Sequence, residues 1–476
     1  MLRSTLLAVA GVSALALPAA AKSKAPPQPK APSSVEQIAA TAVQLRDRAL
    51  ADDTAWNVVE SLTTEVGPRP AGSPAAERAM QWGVAKLKAL GFANVHAEPF
   101  TVTGWVRGPE SAEVTGPFPQ KLAILGLGKS VATPPEGIEA EIALFHSFAE
   151  MLAQPPGSLT GKIAVVTQPM ALTQDGSGYG AAVRARAAGP SEAAKRGAVA
   201  FMLRSVSTAE DRAPHTGATV YAEGVARIPA AAMSPSDAEM LDRMAARGQP
   251  IRIRLKLDNH EVENAPAWNV VGEIPGSSRA DEVIVIGGHL DSWDPGAGAI
   301  DDGTGIAITT AAAKLIGDLK VHPARTIRVV MWGSEEIGGS GAAYAEAHKA
   351  EAGKIVLAGE SDLGSDALYS LALPKGSADH PAMKAMVSVL GPLKIFVLPT
   401  PSRFGGSDTE EMQGLGVPVI DYNQSALRYF DVHHSANDTM DMVDPVTLKQ
   451  NVAAWAALIY AAADSDVDFR VGAATK

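Results

Sequence analysis

The sequence predicts an α/β fold, a mixed and mainly parallel sheet sandwiched by helices, with a mostly β segment inserted into it. Three observations carry that expectation. From Glu282 onward, apolar runs of strand length alternate with helical patterns, the rhythm of βαβ units. The stretch from Pro119 to Asp258 breaks that rhythm and reads as short strands between turns. His, Asp and Glu recur where the later strands end, which is where ligand sites lie in open α/β sheets.

At the N-terminus, Arg3 precedes an apolar run from Leu6 to Leu17, which leads into Ala19-Ala20-Ala21. A basic start, a short apolar core and small residues describe a secretory signal peptide over residues 1–21, cut after about Ala21. The run is shorter than the roughly 20 apolar residues of a spanning helix, and no later segment is long and apolar enough either. The expected location is the periplasm or the medium, with no membrane partner after processing. Residues 22–33, rich in Lys, Pro and Ala, read as a flexible lead-in.

The remaining length, about 450 residues, exceeds one typical core and implies two domains or more. With 41 basic against 52 acidic residues the net charge is −11, which argues against nucleic acid or anionic membrane as partners. There is no cysteine, so disulfides, thiol nucleophiles and thiolate ligands are excluded. Any transition metal must be held by His, Asp and Glu.

Val59, Leu62 and Val66 follow helical spacing, as do Met80, Val84 and Leu87. Leu448, Val452, Trp455 and Ile459 form one apolar stripe of a long C-terminal helix. These are core positions of a domain assembled from residues 34–118 and 259–470. In the insert, residues 119–258, LAILGLG, EIALFH, GKIAVVT and VAFMLRS read as strands and SEAAKRGA as a short helix. IRIRLKLD alternates strictly, as a half-buried strand does. The insert holds no His/Asp/Glu cluster of ligand-like spacing and is expected to carry no chemistry. After it, EVIVIGG is a near-continuous apolar run, the mark of a strand covered on both faces. GIAITTAAAKLIGDL, TIRVVMWG, GSGAAYAEAHKA and KIVLAGE then read as helix, strand, helix and strand.

Each of those strand ends carries metal-competent residues. EVIVIGG runs into His289 and Asp291, and Asp301-Asp302 precede the following helix. TIRVVMWG runs into Glu335-Glu336, and KIVLAGE into Asp362. His433-His434 lie near the C-terminus between core segments. Burying that many carboxylates at one edge is costly without cations, and metal ions supply the compensation. Two zinc ions with N/O ligands need one His each, a shared carboxylate and one further carboxylate each. His289 and His434 suit the first role, Asp301 the second, Glu336 and Asp362 the third. Glu335 is then free as general base, taking a proton from a metal-bound water and returning it to the leaving amine. Asp291 is placed to accept the other ring N–H of His289.

HLDSWDPGAGAIDDGTGIA, WGSEEIGGSGA, GESDLG and HHSANDTMD together resemble the di-zinc exopeptidase family that includes bacterial secreted aminopeptidases and glutamate carboxypeptidases. The resemblance spans nearly all of the mature chain. It implies metal binding by His289, Asp301, Glu336, Asp362 and His434, two zinc ions per chain, and Glu335 as base. The register of GAIDDGTG favours Asp301 over Asp302 as the bridge, and a cis peptide between the two is implied. RAAGPSEAAKRGAVAFMLRS and IPAAAMSPSDAEML resemble a protease-associated domain, which in relatives borders the active-site cleft. The implied activity is hydrolysis of dipeptides or terminal peptide bonds.

An exopeptidase must also recognise a free terminus. Arg403 and Arg428 lie close in sequence to the site, and either is suited to pair a substrate carboxylate. Asp408 and Tyr429 are further pocket candidates, and His433 is a candidate to hydrogen-bond the tetrahedral intermediate. The partner is a small peptide; which terminus is read stays open, and a homodimer is compatible with the chain. Three rival readings are a single-zinc glutaminyl cyclase-like acyltransferase, a di-zinc phosphoesterase and a non-catalytic peptide-binding relative. Retention of Glu335 speaks against the last, since a structural metal site needs no base.

Overall fold

The computed structural model describes residues 33–471 together with Met1, so the expected signal peptide and nearly all of the lead-in lie outside the described residues. The centre is a five-stranded mixed sheet in the spatial order Ala93–Val106, His260–Ile274, Arg325–Trp332, Arg279–His289 and Ile355–Glu360. The last three strands run parallel, and the first two are antiparallel additions at one side.

Two-sided burial explains the continuous apolar run in Arg279–His289. Ile284 and Ile286 face one core, shared with Leu45, Ile308 and Leu458 from the helices Val35–Ala49, Thr304–Gly317 and Pro445–Asp464. Val283 and Val285 face the other, shared with Val330, Trp332 and Tyr344, the last from the helix Ser340–Ala347. Alternate residues of one strand thus point to opposite helical layers. Fully burying one such Val or Ile side chain is worth about 1.5–3 kcal/mol, so both layers anchor the strand end that carries His289. In the C-terminal helix the stripe Leu448, Val452, Trp455 and Ile459 is buried throughout.

A second sheet of eight strands occupies Glu110 to Leu257, beginning ahead of the expected boundary at Pro119. It has its own apolar core, including Val114, Ile142, Val165, Met202 and Leu255. Its longest helix, Ser177–Lys195, extends well beyond SEAAKRGA. The buried face of that helix is made of small residues such as Ala182, Ala185 and Gly189, so the sequence shows almost no apolar stripe there. The strands Ala93–Val106 and His260–Ile274 pair over most of their length and lead the chain into and out of this sheet. The first of them went unread in the sequence, because Pro99 and exposed polar residues mask an edge strand. Among the described residues no helix is long and apolar enough to cross a membrane.

Candidate metal centre

The parallel strands deliver their carboxyl ends to one edge. His289 is the last residue of its strand, Glu335 and Glu336 follow Arg325–Trp332, and Asp362 follows Ile355–Glu360. Asp301 and Asp302, joined by a cis peptide bond, lead into the helix Thr304–Gly317. That helix start can approach the neighbouring strand end because Gly305 has no side chain; a Cβ there would lie 1.9 Å from the Ser361 carbonyl oxygen.

Asp301 stands between two histidines. Its Oδ1 is 3.0 Å from His289 Nε2 and its Oδ2 is 3.2 Å from His434 Nε2. His289 Nε2 is also 3.5 Å from Asp362 Oδ1, and His434 Nε2 is 3.0 Å from Glu336 Oε2. Two N/O groups therefore share Asp301, one with His289 and Asp362, the other with His434 and Glu336. Ligand atoms also come close enough to share an ion in the groups His289/Asp301/Glu336, His289/Asp302/Asp362 and Asp301/His433/His434.

The electrostatics ask for positive charge. Burial pushes the Glu335 carboxyl well above its ordinary range, and the charge of Asp362 adds to this. Glu360 is raised well above its range by burial and by Asp408 beside it. Burial opposes a charged ring at His434, yet Glu336 and Asp301 outweigh it and lift its pKa to about 9. His289 is raised well above its ordinary value in the same way, with Asp291, Asp301 and Asp362 outweighing burial. Glu336 Oε1 is buried without a hydrogen-bond partner, and so is Asp301 Oδ2 despite its closeness to His434. Imidazole nitrogens, carboxylate oxygens, orphaned acceptors and excess negative charge fit divalent cations of the zinc type.

Several residues hold this arrangement in place. Asp291 was expected to take the other ring N–H of His289 on its carboxylate. Instead His289 Nδ1 lies 3.0 Å from the Asp291 backbone carbonyl, and the nearer carboxylate oxygen is 3.6 Å away. The Asp291 carboxylate accepts the backbone N–H of Glu335 at 2.9 Å and of Glu336 at 3.2 Å. Asp302 accepts the N–H groups of His289 and Gly305, tying strand end to helix start. Asp438, absent from the sequence-based set, accepts the N–H groups of Ile300 at 2.6 Å and Asp301 at 3.2 Å. Arg69, also absent from it, is fully buried and donates to the carbonyls of Leu290, Ala297 and Gly298.

The segment from which no chemistry was expected reaches the site directly. His434, at φ 61°, accepts the Thr216 N–H on its carbonyl at 3.0 Å, and its Nδ1 lies 3.4 Å from the Thr216 carbonyl. His215 Nδ1 lies 2.5 Å from the His433 carbonyl. Each of these contacts ends on a main-chain carbonyl far away in the chain, so no spacing in the sequence signals them.

The sequence profile of peptidase family M28 matches residues 269–459. Carboxypeptidase Q of Bos taurus is 39% identical over 428 residues, covering 90% of this chain and 89% of the relative. The chain belongs to peptidase family M28. A solved structure of a peptidase M28 precursor from Shewanella amazonensis SB2B superposes with a TM-score of 0.89 at 42% identity, covering 91% of this chain and 98% of that one. A zinc aminopeptidase from Bacillus subtilis shares the fold, with a TM-score of 0.62 at 16% identity over 87% of this chain and 97% of that one. As an M28 peptidase the protein is a metallopeptidase of the exopeptidase kind, and its substrate is a peptide.

Within this M28 site the substrate candidates fare differently. His433 is buried, its ring stacked on His434 at 3.5 Å and flanked by Tyr429 and Phe430. Tyr429 is buried and, with Ile300 and Leu363, lines a small pocket beside Arg428. Asp408 is buried, accepts the Ser340 hydroxyl at 2.5 Å and donates its N–H to Glu360 at 2.9 Å; burial lifts its carboxyl to about 7. Arg428 is half-exposed and committed to Asp366, with Nε 3.1 Å from Oδ2 and a second contact from Nη2. Arg403 is exposed on its loop, where its N–H donates to Asp421 at 2.8 Å.

Proposed function

We propose that this M28 peptidase is an exported di-zinc exopeptidase that hydrolyses dipeptides or terminal peptide bonds. His289 and Asp362 would hold one ion, His434 and Glu336 the other, with Asp301 shared between the two sets. The observation that carries this reading is the two-sided contact of Asp301, with one oxygen toward each histidine. When bound, the ions supply the Lewis acidity that lowers the pKa of water towards about 7 and polarises a carbonyl.

The rest of the chemistry falls to the chain's own side chains. Glu335 is half-buried and is not needed as a ligand in either group. As a carboxylate free of ligand duty it suits a general base that takes a proton from the attacking water and passes it to the leaving amine nitrogen. Asp291 fixes the Glu335–Glu336 backbone, so base and ligand keep their relative positions. His433 has an unpartnered Nδ1 and stands beside the shared carboxylate, which suits it to hydrogen-bond the tetrahedral intermediate. The segment from Glu110 to Leu257 acts as a protease-associated domain that also completes the His434 side of the site.

Metal analysis of the purified protein, together with a panel of unblocked dipeptides, tests this reading. Two zinc ions per chain and dipeptide hydrolysis are expected. One zinc per chain with cyclisation of N-terminal glutamine would sink it in favour of the cyclase alternative.

A further inference from the structure

Near the candidate metal centre, Arg186 is buried with its donors incompletely met. Among the described residues three arginines are buried: Arg69, Arg186 and Arg325. Arg69 donates to the carbonyls of Leu290, Ala297 and Gly298. Arg325 donates to Glu282 and to the carbonyls of Ala462 and Val467. Arg186, 6% exposed, is less well satisfied. Its Nη2 donates to the Tyr179 hydroxyl at 2.7 Å, but Nη1 reaches the Thr216 carbonyl and His434 Nδ1 only at 3.5 Å. Its Nε has no partner, and none of these contacts is a carboxylate.

The cradle around it is specific. The guanidinium lies against Gly217, at φ 128°, where a Cβ would come 2.4 Å from Cζ. An arginine cannot shed its charge to relieve burial, so this one is costly until an anion joins it. Tyr179 is half-exposed, and its ring stands edge-on to His433 with centroids 5.4 Å apart. Because its oxygen accepts from Arg186, its own proton is free for a further acceptor.

We propose that Arg186 and Tyr179 together hold the free C-terminal carboxylate of the substrate peptide. The enzyme is then a carboxypeptidase or dipeptidase rather than an aminopeptidase. This rests on the exopeptidase reading above and names the terminus it recognises. The planar fork of a guanidinium matches a carboxylate, and a tyrosine hydroxyl beside it adds a second donor. The two arginines singled out from the sequence are less suited, since Arg428 is committed to Asp366 and Arg403 is exposed on its loop. Arg186 lies on the helix Ser177–Lys195, so the segment added to the peptidase sheet supplies the specificity.

The test compares a dipeptide such as Ala-Leu with its C-terminal amide, both with free amino ends, on the metal-loaded full chain. The wild type is expected to favour the free acid by about 10- to 100-fold in kcat/KM, mostly through KM, as for a hydrogen-bonded charge. Arg186→Ala and Arg186→Lys should bring that ratio toward one, and Tyr179→Phe should lower it less. Calorimetry with a reduced-amide dipeptide, as free acid and as amide, reads the same ratio without turnover. Equal treatment of acid and amide by the wild type overturns the proposal. So does a ratio that survives in Arg186→Ala, or a loss of zinc in that variant that accounts for its whole defect. Should Arg186→Ala fail to fold, Arg186→Lys and Tyr179→Phe decide. If the loaded wild type cleaves no free dipeptide at all, the exopeptidase reading fails, while the calorimetric ratio still reports on the carboxylate site.

Discussion

The backbone N–H of Glu335 donates to Oδ1 of Asp291 at 2.9 Å, and the adjacent N–H of Glu336 donates to the other oxygen. One carboxylate, two residues beyond a proposed metal ligand, thus fixes both the proposed base and a proposed ligand. Asp291→Ala removes two charge-assisted acceptors while leaving every proposed ligand in the chain. Loss of such a support is expected to cost about 10- to 100-fold in activity or metal affinity. Steady-state kinetics and metal titration of the variant measure it. Wild-type values in both would show that Asp291 has no positioning role.

Glu335→Gln separates chemistry from metal binding. The amide keeps the size of the side chain but cannot take a proton at neutral pH. Metal content is expected to match the wild type, while kcat falls by about 100- to 10,000-fold. Activity near wild type would assign the base to another group.

Asp301→Ala should fail at the opposite step. It removes the acceptor that faces both His289 and His434, and leaves the remaining carboxylates without a shared centre. The variant is expected to bind less than two equivalents of zinc under conditions that saturate the wild type, as measured by elemental analysis after dialysis. Retention of both ions would remove Asp301 from the bridging position.

What the sequence made legible follows from how each residue acts. His289, Glu335, Glu336 and Asp362 could be assigned to one edge because each parallel strand ends at a recognisable apolar run, and the next residues lie at that edge. Asp301 could be found because it precedes a clear helix. Asp438 and Arg69 act on backbone N–H and carbonyl groups of loops far away in the chain, and such contacts leave no periodicity. Thr216 and Arg186 come from a segment whose strands are patterned for their own core, so nothing local marks them as part of a site. The strand Ala93–Val106 was hidden for a related reason, since an edge strand with exposed polar residues lacks the clean alternation of a half-buried one.

Arg428 provides a control for substrate recognition. It is half-exposed and paired with Asp366, and exposed ion pairs contribute about 0–1 kcal/mol. Arg428→Ala is expected to change kcat/KM for free dipeptides by less than about threefold, with a correspondingly small change in Tm. A loss of tenfold or more, confined to substrates with a free carboxylate, would transfer the anchoring role to Arg428.

Stability should respond to pH through His348 and Glu98. His348 ends the helix Ser340–Ala347, and its Nε2 is 3.0 and 3.1 Å from the two Glu98 oxygens on the strand Ala93–Val106. Burial works against charge on both, but each partner outweighs it, so His348 is raised above 6.5 and Glu98 is lowered below 4.5. For the raised histidine, the native state holds a proton that the unfolded chain has already released above pH 6.5. Its stabilisation is therefore complete below pH 6.5 and is lost as pH rises through the folded value. For the lowered carboxylate, stabilisation is complete above pH 4.5 and is lost as pH falls through its folded value. The pair contributes most between those limits. His348→Gln should accordingly lower Tm more at pH 5.5 than at pH 9, where the wild-type pair has lost part of its charge. Equal shifts at the two pH values in thermal unfolding would show that the contact acts by packing and neutral hydrogen bonding alone.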